Sequence, residues 1–169
     1  MDILYTSCAG FDVHKETVVA TVRRLDAKGK VRQETRTFGT MTRAILELAD
    51  WLAAKEVTHV AMESTGVYWK PVWNLLEGQF ELLLVNAQHI KHVPGRKTDV
   101  KDSEWLADLL RHGLLRASFI PPRPIRELRE LTRYRKSLGE ARAREVNRVQ
   151  KVLEGANIKL ASVATKVAP

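Results

Sequence analysis

Residues 7–38 read SCAGFDVHKETVVATVRRLDAKGKVRQETRTF, and this stretch decides how the front of the chain folds. Ser7–Val13 is short and apolar, as buried strands are, and Thr17–Leu25 alternates apolar with polar side chains. Asp26–Lys30 contains a glycine and has the composition of a hairpin turn, which leads into a third strand over Val31–Phe38. The sequence therefore predicts three consecutive antiparallel strands.

Helices and strands alternate after these three strands. Apolar residues at helical spacing predict helices over Thr42–Lys55 and Tyr68–Leu76, and two short apolar runs predict strands over Val57–Met62 and Phe80–Val85. Because helices connect the later strands, these strands should run parallel to each other. The predicted fold class is α/β, with a mixed five-stranded sheet flanked by helices.

The second half of the chain is predicted to be helical. Thr98–His112 has helical spacing, and the prolines of Ile120–Pro124 mark a boundary between residues 1–120 and residues 121–169. Ile125–Glu154 then lacks proline and forms a long basic amphipathic helix. The apolar side chains on one side of it are Leu128, Leu131, Tyr134, Leu138, Ala141, Val146, Val149, Val152 and Leu153. Such a stripe must be buried, so we expect a coiled-coil segment that self-associates through residues 125–154.

Charge is distributed unevenly along the chain. The net charge is +8, yet residues 1–95 hold 11 Lys and Arg against 11 Asp and Glu, whereas residues 96–169 hold 17 against 9. A neutral front and a basic back indicate a surface that binds a polyanion such as nucleic acid. The residues expected to provide it on the long helix are Arg126, Arg129, Arg133, Arg144 and Arg148. A basic face that is merely solvated remains the alternative.

Composition excludes several other classes of protein. The 44% hydrophobic content is that of a folded chain, and a single cysteine, Cys8, excludes an internal disulfide and a Cys-rich zinc module. No apolar run approaches ~18 residues, so no membrane span is expected. The N-terminus lacks the layout of a signal peptide, and the expected location is the cytoplasm.

Four carboxylates stand at positions where chemistry is plausible. Asp12 and Glu63 lie at the ends of predicted strands, and Asp99 and Asp102 are spaced i, i+3 at a predicted helix start. Taken singly, each has an ordinary interpretation, because acidic residues accept turn amides and favour first helical turns. Taken together, they form a set of oxygen ligands that suits divalent cations and two-metal phosphoryl transfer.

Three motifs carry a resemblance to a known family. Gly10–Lys15 (GFDVHK), Met62–Tyr68 (MESTGVY) and above all Val93–Asp102 (VPGRKTDVKD), which is followed by Trp105–Ala107 and Leu110–Leu115, resemble the DEDD transposases of the insertion sequence 110 family, relatives of the Piv DNA invertase. The resemblance extends from the first strand to about Val163.

The resemblance implies both a fold and a function. The fold is an RuvC-like (RNase H-like) domain followed by a coiled-coil segment, with the tetrad Asp12, Glu63, Asp99 and Asp102 binding Mg²⁺, for which Mn²⁺ can substitute. The function is DNA recombination and transposition guided by a structured RNA, with a nucleophilic serine on a second, C-terminal domain. We expect this domain to be absent from the 169 residues, so that the chain is an N-terminal portion.

Other interpretations stay open beside this one. Arg96 and Lys97 precede the acidic pair and are expected to contact a phosphate of the nucleic acid. A RuvC-type junction nuclease shares four carboxylates but hydrolyses DNA without a serine. A non-catalytic nucleic-acid-binding module would use the carboxylates only as helix caps. An actin-like kinase would need a second glycine-rich phosphate loop, which the sequence after residue 113 lacks.

Overall fold

The computed structural model describes residues 3–64, 66–86 and 102–162. The chain divides into two units between Ile120 and Pro121, and each unit is described by itself. The first contains β1 (Ser7–Val13), β2 (Thr17–Leu25), β3 (Val31–Gly39), α1 (Thr42–Ala54), β4 (His59–Glu63), α2 (Trp69–Leu76), β5 (Glu81–Val85) and α3 (Asp102–Arg111). The second contains α4 (Arg123–Gly155) and a short 3-10 helix, Leu160–Ser162.

The five strands form one sheet in the order β3-β2-β1-β4-β5. β1 pairs with β2 and β2 with β3 in antiparallel orientation, whereas β4 is parallel to β1 and β5 is parallel to β4. The first and fourth strands are therefore parallel neighbours, as in the RuvC-like (RNase H-like) sheet that the resemblance implies. The predicted fold class is confirmed.

The turn between β2 and β3 follows from the side chain of Asp26. Its Oδ1 accepts hydrogen bonds from the backbone N–H groups of Lys28 and Lys30, at 3.0 and 2.9 Å, and Gly29 adopts a φ of 72°. The bond from the Lys30 amide is the main reason that the pKa of the Asp26 carboxyl lies below its ordinary value. The hairpin register is thus fixed locally by residues 26–30.

Helices cover both faces of the sheet. On one face, Phe11 of β1 and Met62 of β4 pack with residues of α1 and α2, including Leu48 and Leu76. On the other face α3 provides the cover. There Cys8, Ala61 and Val85 of the strands pack against Leu106, Leu109 and Leu110 of α3. β1 therefore lies in the middle of a three-layer unit, which positions the residues at its end.

Among the described residues, the predicted and observed boundaries differ by at most two residues, and the two largest differences are at the starts of β4 and of the long helix. β4 begins at His59 instead of Val57, because the Val57 amide donates to the Leu52 carbonyl at 3.1 Å and thereby closes the end of α1. The long helix begins at Arg123 instead of Ile125, so Pro124 lies within its first turn. Proline is tolerated there because first-turn amides have no acceptor inside the helix.

The helix α4 comprises 33 residues, none of which is buried. The exposed large apolar side chains include Leu131 and Leu138, which are 67% and 53% exposed. Pairing of this stripe in a coiled coil stays a prediction, as does the assignment of the two units as functional domains. Throughout residues 3–64, 66–86 and 102–162, every helix is too short or too polar to cross a membrane.

Candidate active site

Asp12 and Glu63 lie at the ends of neighbouring parallel strands. The last pair of the β1–β4 ladder joins Phe11 to Met62, and Asp12 and Glu63 are the next residue of each strand. Phe11 and Met62 both point into the α1–α2 layer, and side chains alternate between the faces of a strand. Asp12 and Glu63 therefore share the opposite face, which α3 covers.

The direction of α3 determines where Asp102 lies. Ser103, in the first turn of α3, contacts Thr21, which is the partner of Gly10 in the β1–β2 ladder. At the other end of α3, the backbone carbonyl of Arg111 accepts a hydrogen bond from the Leu4 amide, which precedes β1, at 2.9 Å. The helix consequently runs antiparallel to β1. Asp102, its first residue, is at the same edge of the sheet as the carboxyl ends of β1 and β4.

The turn after β1 lies beside this group of carboxylates. His14 Nε2 lies 3.0 Å from Asp12 Oδ2, and the His14 amide donates to the Thr17 carbonyl at 2.8 Å. The Thr40 hydroxyl donates to the carbonyl of Lys15 at 2.9 Å, which ties the turn to the loop before α1. The exposed His14 and Lys15 therefore project from the edge that holds the carboxylates.

The chemistry of these side chains fits a hard divalent cation. Asp12, Glu63 and Asp102 offer carboxylate oxygens, the donors that such cations prefer, at one edge of the sheet. In the part of the chain that the structure describes, no three His, Cys, Asp or Glu side chains are close enough to hold an ion. Asp99, the fourth expected ligand, lies outside the described residues, so the proposed tetrad stays a prediction.

Comparison with known proteins identifies the family. The model of the DEDD transposases of the insertion sequence 110 family, described as "Transposase", matches residues 9–158. The chain belongs to this family. The structure of Thermus thermophilus RuvC is similar with a TM-score of 0.47 and 13% sequence identity, over 66% of this chain and 99% of that chain. No curated protein sequence matches the chain.

Membership of the DEDD transposase family makes this a protein of DNA transposition and recombination. The match begins two residues after Ser7, the first residue of β1, and ends within the second unit, beyond the last residue of α4. It therefore includes the carboxylate edge and the long basic helix together.

Five of the seven residues that are expected to bind nucleic acid belong to the described part of the chain. Arg96 and Lys97 lie outside the described residues. Arg126 donates to the Pro121 carbonyl at 2.9 Å, and Arg148 pairs with Glu145 at 2.6 Å. The other expected contacts, all on the exposed side of α4, are Arg129, Arg133 and Arg144.

Sequence reasoning missed three residues that shape this edge and its helix. Ser103 and Thr21 are fully buried and hydrogen-bonded to each other, and Arg111 is only 4% exposed at the far end of α3. A serine next to Asp102 is typical of a helix start, a threonine is common in a strand, and an arginine is typically exposed, so none of the three residues was indicated by the sequence. The sequence of β1 did indicate one feature of this edge, because side chains alternate between the two faces of a strand and Gly10 and Asp12 therefore lie on the same face.

Proposed function

We propose that this chain is the metal-dependent catalytic part of an RNA-guided DEDD transposase that acts on DNA in the cytoplasm. The observation that supports this proposal is that Asp12 and Glu63 end neighbouring parallel strands at the edge of the sheet where α3 begins with Asp102, within a chain of the DEDD family. Carboxylates from two parallel strands and one crossing helix are far apart in sequence. Their arrangement at one edge favours a shared ligand over three separate helix caps.

Asp12, Glu63, Asp99 and Asp102 are the residues that would hold Mg²⁺, or Mn²⁺ in its place. The ion would neutralise charge on a phosphate and stabilise the attacking and leaving oxygens of a phosphoryl transfer. The protein's own contribution is to fix Asp12 and Glu63 on the sheet and Asp102 on α3. We further propose that His14 and Lys15, which project at the same edge, contact the phosphate backbone there.

The basic residues give the chain a means to hold nucleic acid. We propose that Arg126, Arg129, Arg133, Arg144 and Arg148 bind phosphates of the DNA or of a structured guide RNA, together with Arg96 and Lys97 near the acidic pair. Contacts to phosphates position a nucleic acid without reading its sequence. Residues 1–120 would act as the catalytic domain and residues 121–169 as the binding and self-association segment, and the joining chemistry would use a serine on a separate domain.

A Mn²⁺ titration followed by electron paramagnetic resonance tests the metal site. The wild-type chain should bind the ion, and Asp12→Asn and Asp102→Ala should each abolish binding while the circular dichroism spectrum stays unchanged. Asp50→Ala is the matched control, because Asp50 is an exposed carboxylate on α1, which packs on the opposite face of the sheet. Equal binding by all four proteins would contradict the proposal and favour a non-catalytic nucleic-acid-binding module.

A further inference from the structure

A chain of three hydroxyl groups joins the start of α3 to the sheet. Ser103 Oγ lies 2.9 Å from Thr21 Oγ1 of β2, and Thr21 Oγ1 lies 2.8 Å from Thr35 Oγ1 of β3. Ser103 and Thr21 are both fully buried. A hydroxyl donates one hydrogen bond and also accepts, so Thr21 satisfies both neighbours at once. The first turn of α3 is thus linked to the middle of the sheet by a directional, water-excluded contact.

Gly10 brings the helix down onto the strand at the same level. Gly10 pairs with Thr21 in the β1–β2 ladder, and a Cβ atom on Gly10 would be 2.3 Å from the Ser103 carbonyl oxygen. The helix backbone therefore rests on the strand backbone where the Ser103–Thr21 hydrogen bond is made. Gly10 sets the height of the helix above the sheet, and the hydrogen bond sets its position along and around its axis.

The same contact fixes the relation between two proposed metal ligands. Asp102 directly precedes Ser103, and Asp12 follows Gly10 by two residues on the same face of β1. A slip of α3 by one residue moves a side chain by about 1.5 Å along the axis and roughly 100° around it. Metal–ligand distances tolerate only about 0.2 Å, so such a slip removes a ligand.

Several other contacts of α3 specify the position of its first turn less well. Leu106, Leu109 and Leu110 pack against the sheet through apolar surfaces, and hydrophobic contact is not directional. The ion pair of Asp108 with Arg23 is directional, but it lies towards the other end of the helix and is partly exposed. The Ser103–Thr21 bond is directional and fully buried, and it is made by the residue that directly follows Asp102.

We propose that Ser103 and Thr21 are positioning residues for the metal site, because their buried hydrogen bond holds Asp102 in register with Asp12. This inference rests on the proposed function, since it requires a metal site at this edge of the sheet. Both hydroxyls are buried between α3 and the sheet, so neither would be a ligand of the ion. They act through the first turn of α3, as outer hydrogen-bond partners do in metal sites generally.

The test compares Mn²⁺ affinity with thermal stability in the whole chain. Ser103→Ala and Thr21→Val should each weaken Mn²⁺ binding by about tenfold, the lower end of the usual effect of outer-shell changes. Thr21→Ser keeps the hydroxyl and should restore wild-type affinity. Thr35→Val is the matched control, because it removes the third of the three linked hydroxyl groups without breaking the Ser103–Thr21 bond.

The outcomes separate this inference from the proposed function. Absence of Mn²⁺ binding in the wild-type chain, or binding that survives Asp12→Asn, overturns the proposed function and this inference with it. This inference alone is overturned if the wild-type chain binds Mn²⁺ and Asp12→Asn abolishes that binding, but Ser103→Ala and Thr21→Val leave it unchanged. The inference is also overturned if Thr35→Val weakens Mn²⁺ binding as much as Thr21→Val does, and if the loss of affinity in each variant is proportional to its loss of melting temperature. Should Thr21→Val fail to fold, Ser103→Ala and Thr21→Ser decide.

Discussion

The backbone amide of Ala107 lies directly over Gly10, so that a Cβ atom on Gly10 would be 2.4 Å from the Ala107 nitrogen. Real Cβ atoms do not approach backbone atoms so closely, and a helix backbone cannot rotate out of the way. The sheet and α3 therefore meet backbone against backbone at this point. The closeness depends on a single hydrogen atom in place of a side chain.

Replacement of Gly10 by alanine should consequently destabilise the protein. Forcing a methyl group into this contact costs about 1–3 kcal/mol or more in the free energy of unfolding, because α3 must lift from β1. Urea denaturation measures the loss. Gly39→Ala is the control, since a Cβ there would be in ordinary contact, 3.5 Å from Ala44 Cβ. Equal stability of Gly10→Ala and the wild type would show that α3 does not rest on β1 as described.

The buried thiol of Cys8 makes stability depend on pH at the alkaline end. Burial raises the pKa of the Cys8 thiol from 9.0 to about 11, although Arg111 and Arg23 act in the opposite direction. The unfolded chain therefore loses this proton before the folded chain does. The stabilising contribution is complete below pH 9 and is lost as the pH rises towards 11, by up to about 2–3 kcal/mol.

Comparison with Cys8→Ala isolates this contribution from other groups that titrate in the same range. The difference in unfolding free energy between the wild type and Cys8→Ala should be constant below pH 9. Between pH 9 and 11 the unfolding free energy of the wild type should fall relative to that of the variant. Urea midpoints at pH 8 and pH 10.5 measure it. A difference that does not change with pH would mean that the thiol ionises as easily in the folded chain as in the unfolded one.

The exposed apolar stripe of α4 predicts that the chain self-associates. Leu131→Glu combined with Leu138→Glu places charge in the stripe and should yield monomers by light scattering, whereas the wild type forms larger species. Thr132→Glu combined with Asn147→Glu adds the same charge outside the stripe and should leave association unchanged. A wild-type chain that is already monomeric at high concentration would exclude this role for residues 125–154.

The basic side of α4 predicts salt-dependent binding of nucleic acid. Each phosphate that the chain neutralises releases roughly 0.7–0.9 counterions, so the logarithm of affinity falls linearly with the logarithm of salt concentration. A triple replacement of Arg129, Arg133 and Arg144 by alanine should reduce this slope by about two to three ions. Electrophoretic titration at two salt concentrations measures both slopes.

A control must remove the same charge elsewhere. Arg24, Lys28 and Arg43 are exposed residues of the first unit, and their triple replacement by alanine should leave the slope close to that of the wild type. If both triple variants bind as tightly as the wild type at both salt concentrations, the arginines of α4 form a solvated face and do not bind nucleic acid.

Local patterns predicted the fold because each strand and helix carries its own periodicity. The strand Ser7–Val13 and the hairpin around Gly29 follow from apolar alternation and turn composition, and these features depend on near neighbours only. The helix between β3 and β4 predicts that β4 runs parallel to β3 and so to β1, but it does not make β1 and β4 neighbours. Their pairing, and with it the placement of Asp12 beside Glu63, was implied by the resemblance to the DEDD transposases.

The contacts between α3 and the sheet could not be predicted from the sequence. The bond between Ser103 and Thr21 joins residues 82 positions apart, and nothing near either residue indicates the other. The burial of Arg111 likewise depends on the packing of a whole helix on the sheet. Such details arise from tertiary packing, which overrides the preference of a single residue for the surface.

The order of the strands in the sheet has a consequence for synthesis of the chain. β1 is made first but lies third in the sheet, between β2 and β4. As the chain emerges from the ribosome, β2 can cover one edge of β1 within a few residues, whereas β4 follows only after β3 and α1. During this interval β1 presents unpaired amides and carbonyls to other nascent chains, which is how strand edges start aggregation. We therefore expect yield of soluble protein to depend on how quickly residues 40–63 are translated.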